Sequence, residues 1–163
     1  MRMIRSTSIG LAGAVLAGCV SYGPGRVQVG DPEAAVVASM GTPAARYPLP
    51  AGATRLAYAR GPAGKHTYMI DLGADGRVTA VNQVLGEKQF AALPTGITED
   101  DLLLILGPPA DRRPLGLRPG TVWSYRYETF ECKWFRVTLG PDHRVQDGSY
   151  GIDPACEEKP RGP

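Results

Sequence analysis

One pattern of residues occurs twice in this chain. A sequence that repeats itself at an offset of 66 positions folds as two related units rather than as one irregular whole. Gly30-Asp31-Pro32-Glu33 leads into residues 34–40 (AAVVASM) and then Gly41-Thr42-Pro43-Ala44. Gly96-Ile97-Thr98-Glu99 leads into residues 100–106 (DDLLLIL) and then Gly107-Pro108-Pro109-Ala110. Gly30, Gly41 and Pro43 each stand 66 residues before Gly96, Gly107 and Pro109. Further along the offset becomes 67: Tyr58 matches Tyr125, and Tyr68, Ile70 and Leu72 match Phe135, Val137 and Leu139. Asp75, Arg77 and Val78 match Asp142, Arg144 and Val145 at the same spacing. One inserted residue in the loop after the helix accounts for the change. Two copies imply a compact pseudo-symmetric pair rather than an extended solenoid.

Each copy reads as a helix followed by strands. Asp31 is a candidate N-cap with Pro32 at the first helical position, where a missing N–H costs nothing. Thr98 caps the second copy, with Asp101 three residues on, as in a capping box. Leu102, Leu103 and Leu106 share one helical face, and Val36, Val37 and Met40 repeat them. Gly41 and Gly107 follow at the helix-stop position. Trp123, Tyr125 and Tyr127 alternate as in a strand, as do Phe135, Val137 and Leu139; Leu56 with Tyr58, and Tyr68, Ile70 and Leu72, do the same in the first copy. Ala74-Asp75-Gly76 and Pro141-Asp142-His143 read as hairpin turns. The expected fold class is α+β. It has two tandem units, residues 30–84 and 85–150, each a helix packed on one face of a three-stranded antiparallel sheet. Residues 86–93 (GEKQFAAL) add a short helix ahead of the second sheet, residues 19–29 read as a tether, and 151–163 as a polar tail.

The N-terminus is an address rather than a structural element. Arg2 and Arg5 precede an apolar run over 9–17, and Leu16-Ala17-Gly18-Cys19 resembles a bacterial lipobox. Residues 1–18 are therefore expected to be a lipoprotein signal peptide, with Cys19 acylated and the protein leashed to a membrane. Removing 1–18 takes away two arginines and no acid, leaving 16 basic against 16 acidic residues. Such a balance offers no electrostatic footprint for nucleic acid. With Cys19 lipidated, Cys132 and Cys156 remain as a pair in an oxidising compartment, where a disulfide persists.

Catalytic chemistry is sparse. His66 and His143 each fall in or beside a turn and outside any metal-ligand spacing. Residues 71–76 (DLGADG) lack the alternating acids of a calcium loop and read as a hairpin. Glu99, Asp100 and Asp101 sit at a helix start, where the macrodipole favours them, and Arg112-Arg113 read as a solvated pair. No enzyme, cofactor, metal or small-molecule substrate is expected. Phe130, Cys132 and Trp134 fall on the opposite parity from Phe135, Val137 and Leu139, so they are expected on the outer sheet face. Cys132 would strap the tail there, leaving Phe130 and Trp134 as a candidate partner-binding surface.

The order of these residues resembles the SmpA/OmlA (BamE-like) outer-membrane lipoprotein family. The resemblance rests on Gly30, Gly41, Pro43, Tyr58 and residues 75–78 in the first unit. In the second it rests on Gly96, Ile97, Thr98, Gly107, Pro109, Trp123, Tyr125, Asp142, Arg144 and Val145. It implies a helix-helix-strand-strand-strand fold without catalytic activity, anchored in the outer membrane and facing the periplasm. It also implies a periplasmic or outer-membrane protein partner and a role in envelope assembly or integrity. The chain departs from the family in carrying two units. It also has Tyr22-Gly23-Pro24-Gly25 where the family carries Tyr-Arg-Pro-Asp-Ile. Tandem units of this kind are also similar to β-lactamase inhibitory proteins, which implies the alternative of a periplasmic inhibitor that grips an enzyme with its sheet face.

Overall fold

The computed structural model describes residues 23–60 and 64–156. The expected signal peptide, the lipidation site Cys19 and the end of the tail lie outside the described residues. The first unit runs α1 (Glu33–Met40), β1 (Ala45–Pro48), β2 (Thr54–Arg60), β3 (His66–Leu72) and β4 (Val78–Gln83). The second runs α2 (Glu87–Ala91), α3 (Glu99–Leu106), β5 (Asp111–Pro114), β6 (Thr121–Arg126), β7 (Lys133–Leu139) and β8 (Val145–Ile152). Both sheets are antiparallel meanders, in the orders β1-β2-β3-β4 and β5-β6-β7-β8. The fold is α+β, as the residue pattern implies.

Each sheet has four strands where alternation gives three. The additional strands, β1 and β5, are four residues long and end in proline; β1 alternates only over Ala45 and Tyr47, and β5 has no apolar alternation. Their pairing with β2 and β6 makes them strands, a non-local cause that no local pattern reveals. They also place the change of offset. β1 and β5 are still 66 apart, β2 and β6 begin 67 apart, and the extra residue lies in the hairpin loop 115–120 opposite 49–53. Both loops close alike, Leu49 N–H on Ala53 C=O and Leu115 N–H on Gly120 C=O.

The repeat extends to single bonds. Gly30 N–H donates to Val78 C=O and Gly96 N–H to Val145 C=O, both at 2.7 Å. Arg77 Nη1 donates to Gly30 C=O and Arg144 Nη1 to Gly96 C=O. The last strand pair carries a bulge between Asp71 and Leu72 in one sheet and between Thr138 and Leu139 in the other. The helix starts differ. Thr98 forms the expected capping box with Asp101, but Pro32 rather than Asp31 holds the N-cap position of α1, with no side-chain cap bond. The Asp31 carboxylate is taken instead by Gln28 N–H.

Four layers stack in the order α1, sheet 1, α3, sheet 2. Val36 and Met40 of α1 bury against Leu56, Tyr58, Ile70, Leu72 and Val78 on the inner face of sheet 1. Val37, expected beside them, is instead 36% exposed, because at this length only the i, i+4 pair faces the sheet. Leu102 and Leu106 of α3 bury against Trp123, Tyr125, Phe135, Val137 and Leu139 on the inner face of sheet 2. The same cluster takes in Ala57 and Met69 from the outer face of sheet 1, with Ala45 and Tyr47 packed on it. A Cβ on Gly107, just past α3, would meet Met69 Cε and Thr67 Cγ2 at 3.0 Å, so the helix end sits directly on sheet 1. Arg55 fixes this junction: it pairs with Asp71 at 2.6 and 2.7 Å and donates Nη1 to Leu104 C=O of α3 at 2.7 Å. A cation at a helix C-terminus is favourably placed against the dipole. α3 is thus the shared core of both units.

α2 covers the far end of the inner face of sheet 2. Phe90 stacks on Phe135 at 4.3 Å and meets Tyr127 edge-on at 5.2 Å. Of the expected tether, Val27 packs on the core of the first unit, in the place Leu93 holds in the second.

Candidate functional site

The expected partner surface needs correction. β7 begins at Lys133, so Phe130 and Cys132 belong to the β6–β7 loop rather than to a strand stripe, and Cys132 takes a positive φ of 51°. Trp134 does point to the outer face, but it is 5% exposed. The Arg126 guanidinium lies 5.7 Å from its ring and is itself held by Asp153 at 2.7 and 3.1 Å. Trp134 is therefore a buried part of a polar strap and cannot act as an exposed anchor. Phe130 is fully exposed on the loop. The Cys132–Cys156 disulfide is present, with Cα atoms 6.2 Å apart. It brings the residues after β8 back to the start of β7, and Asp153 N–H donates to Cys132 C=O. Burial works to raise the Asp153 carboxyl, but Arg126 and the Ala155 N–H outweigh it and hold the group below the usual carboxylate range.

The histidines are not brought together. His143 Nδ1 lies 3.0 Å from Glu99 on the α3 side of sheet 2, and His66 Nε2 lies 4.0 Å from Glu128. Among the described residues no group of three His, Cys, Asp or Glu side chains could hold a metal ion. Tyr125 donates to Gly107 C=O at 3.2 Å, and burial pushes its hydroxyl far above the ordinary phenol range, so it is a structural group.

The repeat exposes what the two units do not share. In sheet 1 the outer row Ala45, Ala57, Met69 is small or apolar and carries α3. Its counterpart in sheet 2 is Asp111, Ser124, Arg136, continuing to Ser149, and no helix of the described chain lies on it. Conversely, the inner far end of sheet 2 is covered by α2, whereas the matching end of sheet 1 carries Arg60, His66 and Tyr68, with Val27 packed nearby and no helix on it among the described residues. Six buried side-chain polar atoms have no hydrogen-bond partner among the described residues, and they fall into these two places. Tyr58 Oη, Arg60 Nε and His66 Nδ1 lie at that end of sheet 1. Trp134 Nε1, Arg136 Nε and Asp111 Oδ2 lie on the outer face of sheet 2, where Arg113 Nε approaches Asp111 at 2.8 Å without a hydrogen-bonding alignment. Buried polar groups left unmatched are costly, and their concentration marks surfaces that solvent or a partner must complete.

Sequence reading by parity missed Arg136, Ser124 and Arg60. The signal was available at the repeat offset: Met69 aligns with Arg136, Ala57 with Ser124, and Tyr127 with Arg60, each a change between packing and polar chemistry.

No protein-family model and no curated protein matches the chain. The solved structures similar to it include the following three. A DUF4309 family protein from Bacillus subtilis is 14% identical over 74% of this chain and 77% of its own, with a TM-score of 0.30. An extracellular protein containing an SCP domain from Bacillus anthracis is 11% identical over 86% of this chain and 50% of its own, at 0.32. A cysteine-rich secretory protein from Staphylococcus aureus is 9% identical over 77% of this chain and 43% of its own, at 0.29.

Proposed function

We propose that the protein is a non-catalytic outer-membrane lipoprotein, anchored through Cys19 and facing the periplasm. On this reading it binds a protein partner and supports the assembly or integrity of the envelope. The observation that carries it is the polar outer face of sheet 2, on which no α-helix lies among the described residues and whose equivalent in the first unit is the packing surface for α3. One sheet face has been kept for internal packing, and its copy has been rewritten with Asp111, Ser124 and Arg136. Polar and arginine-bearing surfaces of this kind suit a partner that binds reversibly in water. The exposed Phe130 on the adjoining loop supplies an apolar contact beside it.

The test is photo-crosslinking in intact cells from a benzoylphenylalanine placed at Ser149, with Ala38 on α1 as the control position. A discrete adduct formed from the outer face and not from α1 is the expected result. No adduct from Ser149, together with a deletion strain whose detergent and vancomycin sensitivity are unchanged, would remove the proposal. The anchor is tested separately: Cys19→Ala should abolish incorporation of labelled palmitate.

A further inference from the structure

The two sheets end on four edge strands, and these are not equally protected. β1 and β5 each close in proline, and they carry Arg46 and Asp111, Arg112 and Arg113, which discourage pairing with another chain. β4 is uncharged but exposes no large apolar side chain. β8 is eight residues long with Asp147 as its single charge, and Tyr150 and Ile152 are 45% and 66% exposed. At the offset of 67, its Gly148 and Tyr150 replace Val81 and Gln83 of β4.

The ladder fixes which backbone groups this edge offers. Asp153 N–H donates to Cys132 C=O, and in an antiparallel pair bonded and non-bonded residues alternate. Gly151 and Ser149 therefore turn their N–H and C=O toward β7, while Gly148, Tyr150 and Ile152 turn theirs outward. The chain's own approach to the edge stops short of them. Gly96 and Ile97 bond to Val145, and the residues after Ile152 bend to the β7 side through the Cys132–Cys156 disulfide.

The same three residues share the inner face of sheet 2, opposite Val137, Phe135 and Lys133. Beside Gly148 a cleft of about 300 Å³ opens between β8 and the α2 region, bounded by Phe90, Leu93, Phe135, Val145, Gly148 and Tyr150. Phe135 Cζ would stand 2.6 Å from a Cβ on Gly148, so β8 has no side chain of its own to put there. Ile152, four residues on, is an apolar side chain without a site. A twofold axis through Tyr150 exchanges these two positions. In an antiparallel pair of β8 strands Tyr150 faces its own copy, Ile152 of each copy faces Gly148 of the other, and every outward N–H and C=O finds a partner.

We propose that β8 joins two copies of this chain edge to edge in a symmetric dimer with one continuous sheet, and that Ile152 of each copy enters the cleft beside Gly148 of the other. The axis crosses the sheet plane, so the polar outer faces of both copies lie on the same side. The dimer does not rest on the partner proposed for those faces, and either can fail alone.

The test places benzoylphenylalanine at Tyr150 of the full chain in intact cells. Irradiation should give an adduct of twice the chain's mass, mapped by mass spectrometry to residues 148–152 of the second copy. The same probe at Gln83, the matching position on β4, should give none. Ile152→Lys in the Tyr150-probe chain should cut the yield about tenfold, because lysine is a residue that native edges use against pairing. Ile152→Val should keep the yield, and both variants should retain the parent's circular dichroism spectrum. No adduct from Tyr150 overturns the inference, as does an adduct to a different protein or within one chain to residues 1–22 or 157–163. Equal yields from Gln83 and Tyr150, or a yield that Ile152→Lys leaves unchanged, overturn it too.

Discussion

Two hairpins that close with the same bonds differ at two residues, Ala74 against Pro141 and Gly76 against His143. Gly73 N–H donates to Arg77 C=O in the first, and Gly140 N–H to Arg144 C=O in the second. The turn places Gly76 at φ 71° in one unit and His143 at φ 58° in the other. Only glycine adopts that conformation without a Cβ penalty. Nothing lies within 4 Å of a Cβ built on Gly76, so the cost of a side chain there is conformational rather than steric. Gly76→Ala should therefore destabilise the protein by about 1 kcal/mol. His143→Gly should leave stability unchanged or raise it slightly, since the exposed His143–Glu99 contact is worth only a few tenths of a kcal/mol. Urea denaturation of the two variants checks the pair, and an equal loss from both would contradict the assignment of strain to His143.

The C-terminal strap is the element whose behaviour depends on conditions. Its disulfide closes a loop with a sequence separation of 24, which on the chain-entropy model contributes roughly 3 kcal/mol. Cys132→Ser with Cys156→Ser should lose about that amount in denaturant unfolding, with Trp134 fluorescence shifting as Arg126 and Asp153 separate. The Asp153 carboxyl is held below its ordinary value in the fold, so its stabilising effect is complete above the usual carboxylate range and disappears as pH falls through the lowered value. Asp153→Asn should thus be less stable than the parent at neutral pH and converge with it in acid. A gap that is constant with pH would show that the Arg126 pair does not govern the strap. This element also marks the limit of what the sequence discloses. Cys132 and Cys156 were legible from the compartment that the lipobox implies, and the helices and six of the eight strands from periodicity and caps. β1 and β5 were not, because pairing with a neighbour rather than side-chain pattern creates them. The alternation places Trp134 on the correct face but does not show that it is buried, since nothing local says that Arg126 and Asp153 close over it.

For the molecule as a whole, the layer order decides how the units depend on each other. α3 contributes to the core of sheet 2 through Leu102 and Leu106 and rests on sheet 1 through the Ala57–Met69 surface, whereas α1 touches sheet 1 alone. The polar row on sheet 2 stops this stacking at two units, as a terminal repeat with a polar outer face does. The two methionines on opposite faces of the first unit then separate the local from the shared core. Met69→Ala and Met40→Ala each remove a buried side chain, at about 2–5 kcal/mol. Met69→Ala opens a gap beneath Gly107 at the end of α3, so amide exchange should accelerate in α3 and β6–β7 as well as in sheet 1. Met40→Ala loosens α1 and sheet 1 and should leave protection in α3 and β6–β7 at its original level. Identical exchange maps for the two variants would mean that the pair unfolds as one undivided body, and the asymmetric role given to α3 would fall.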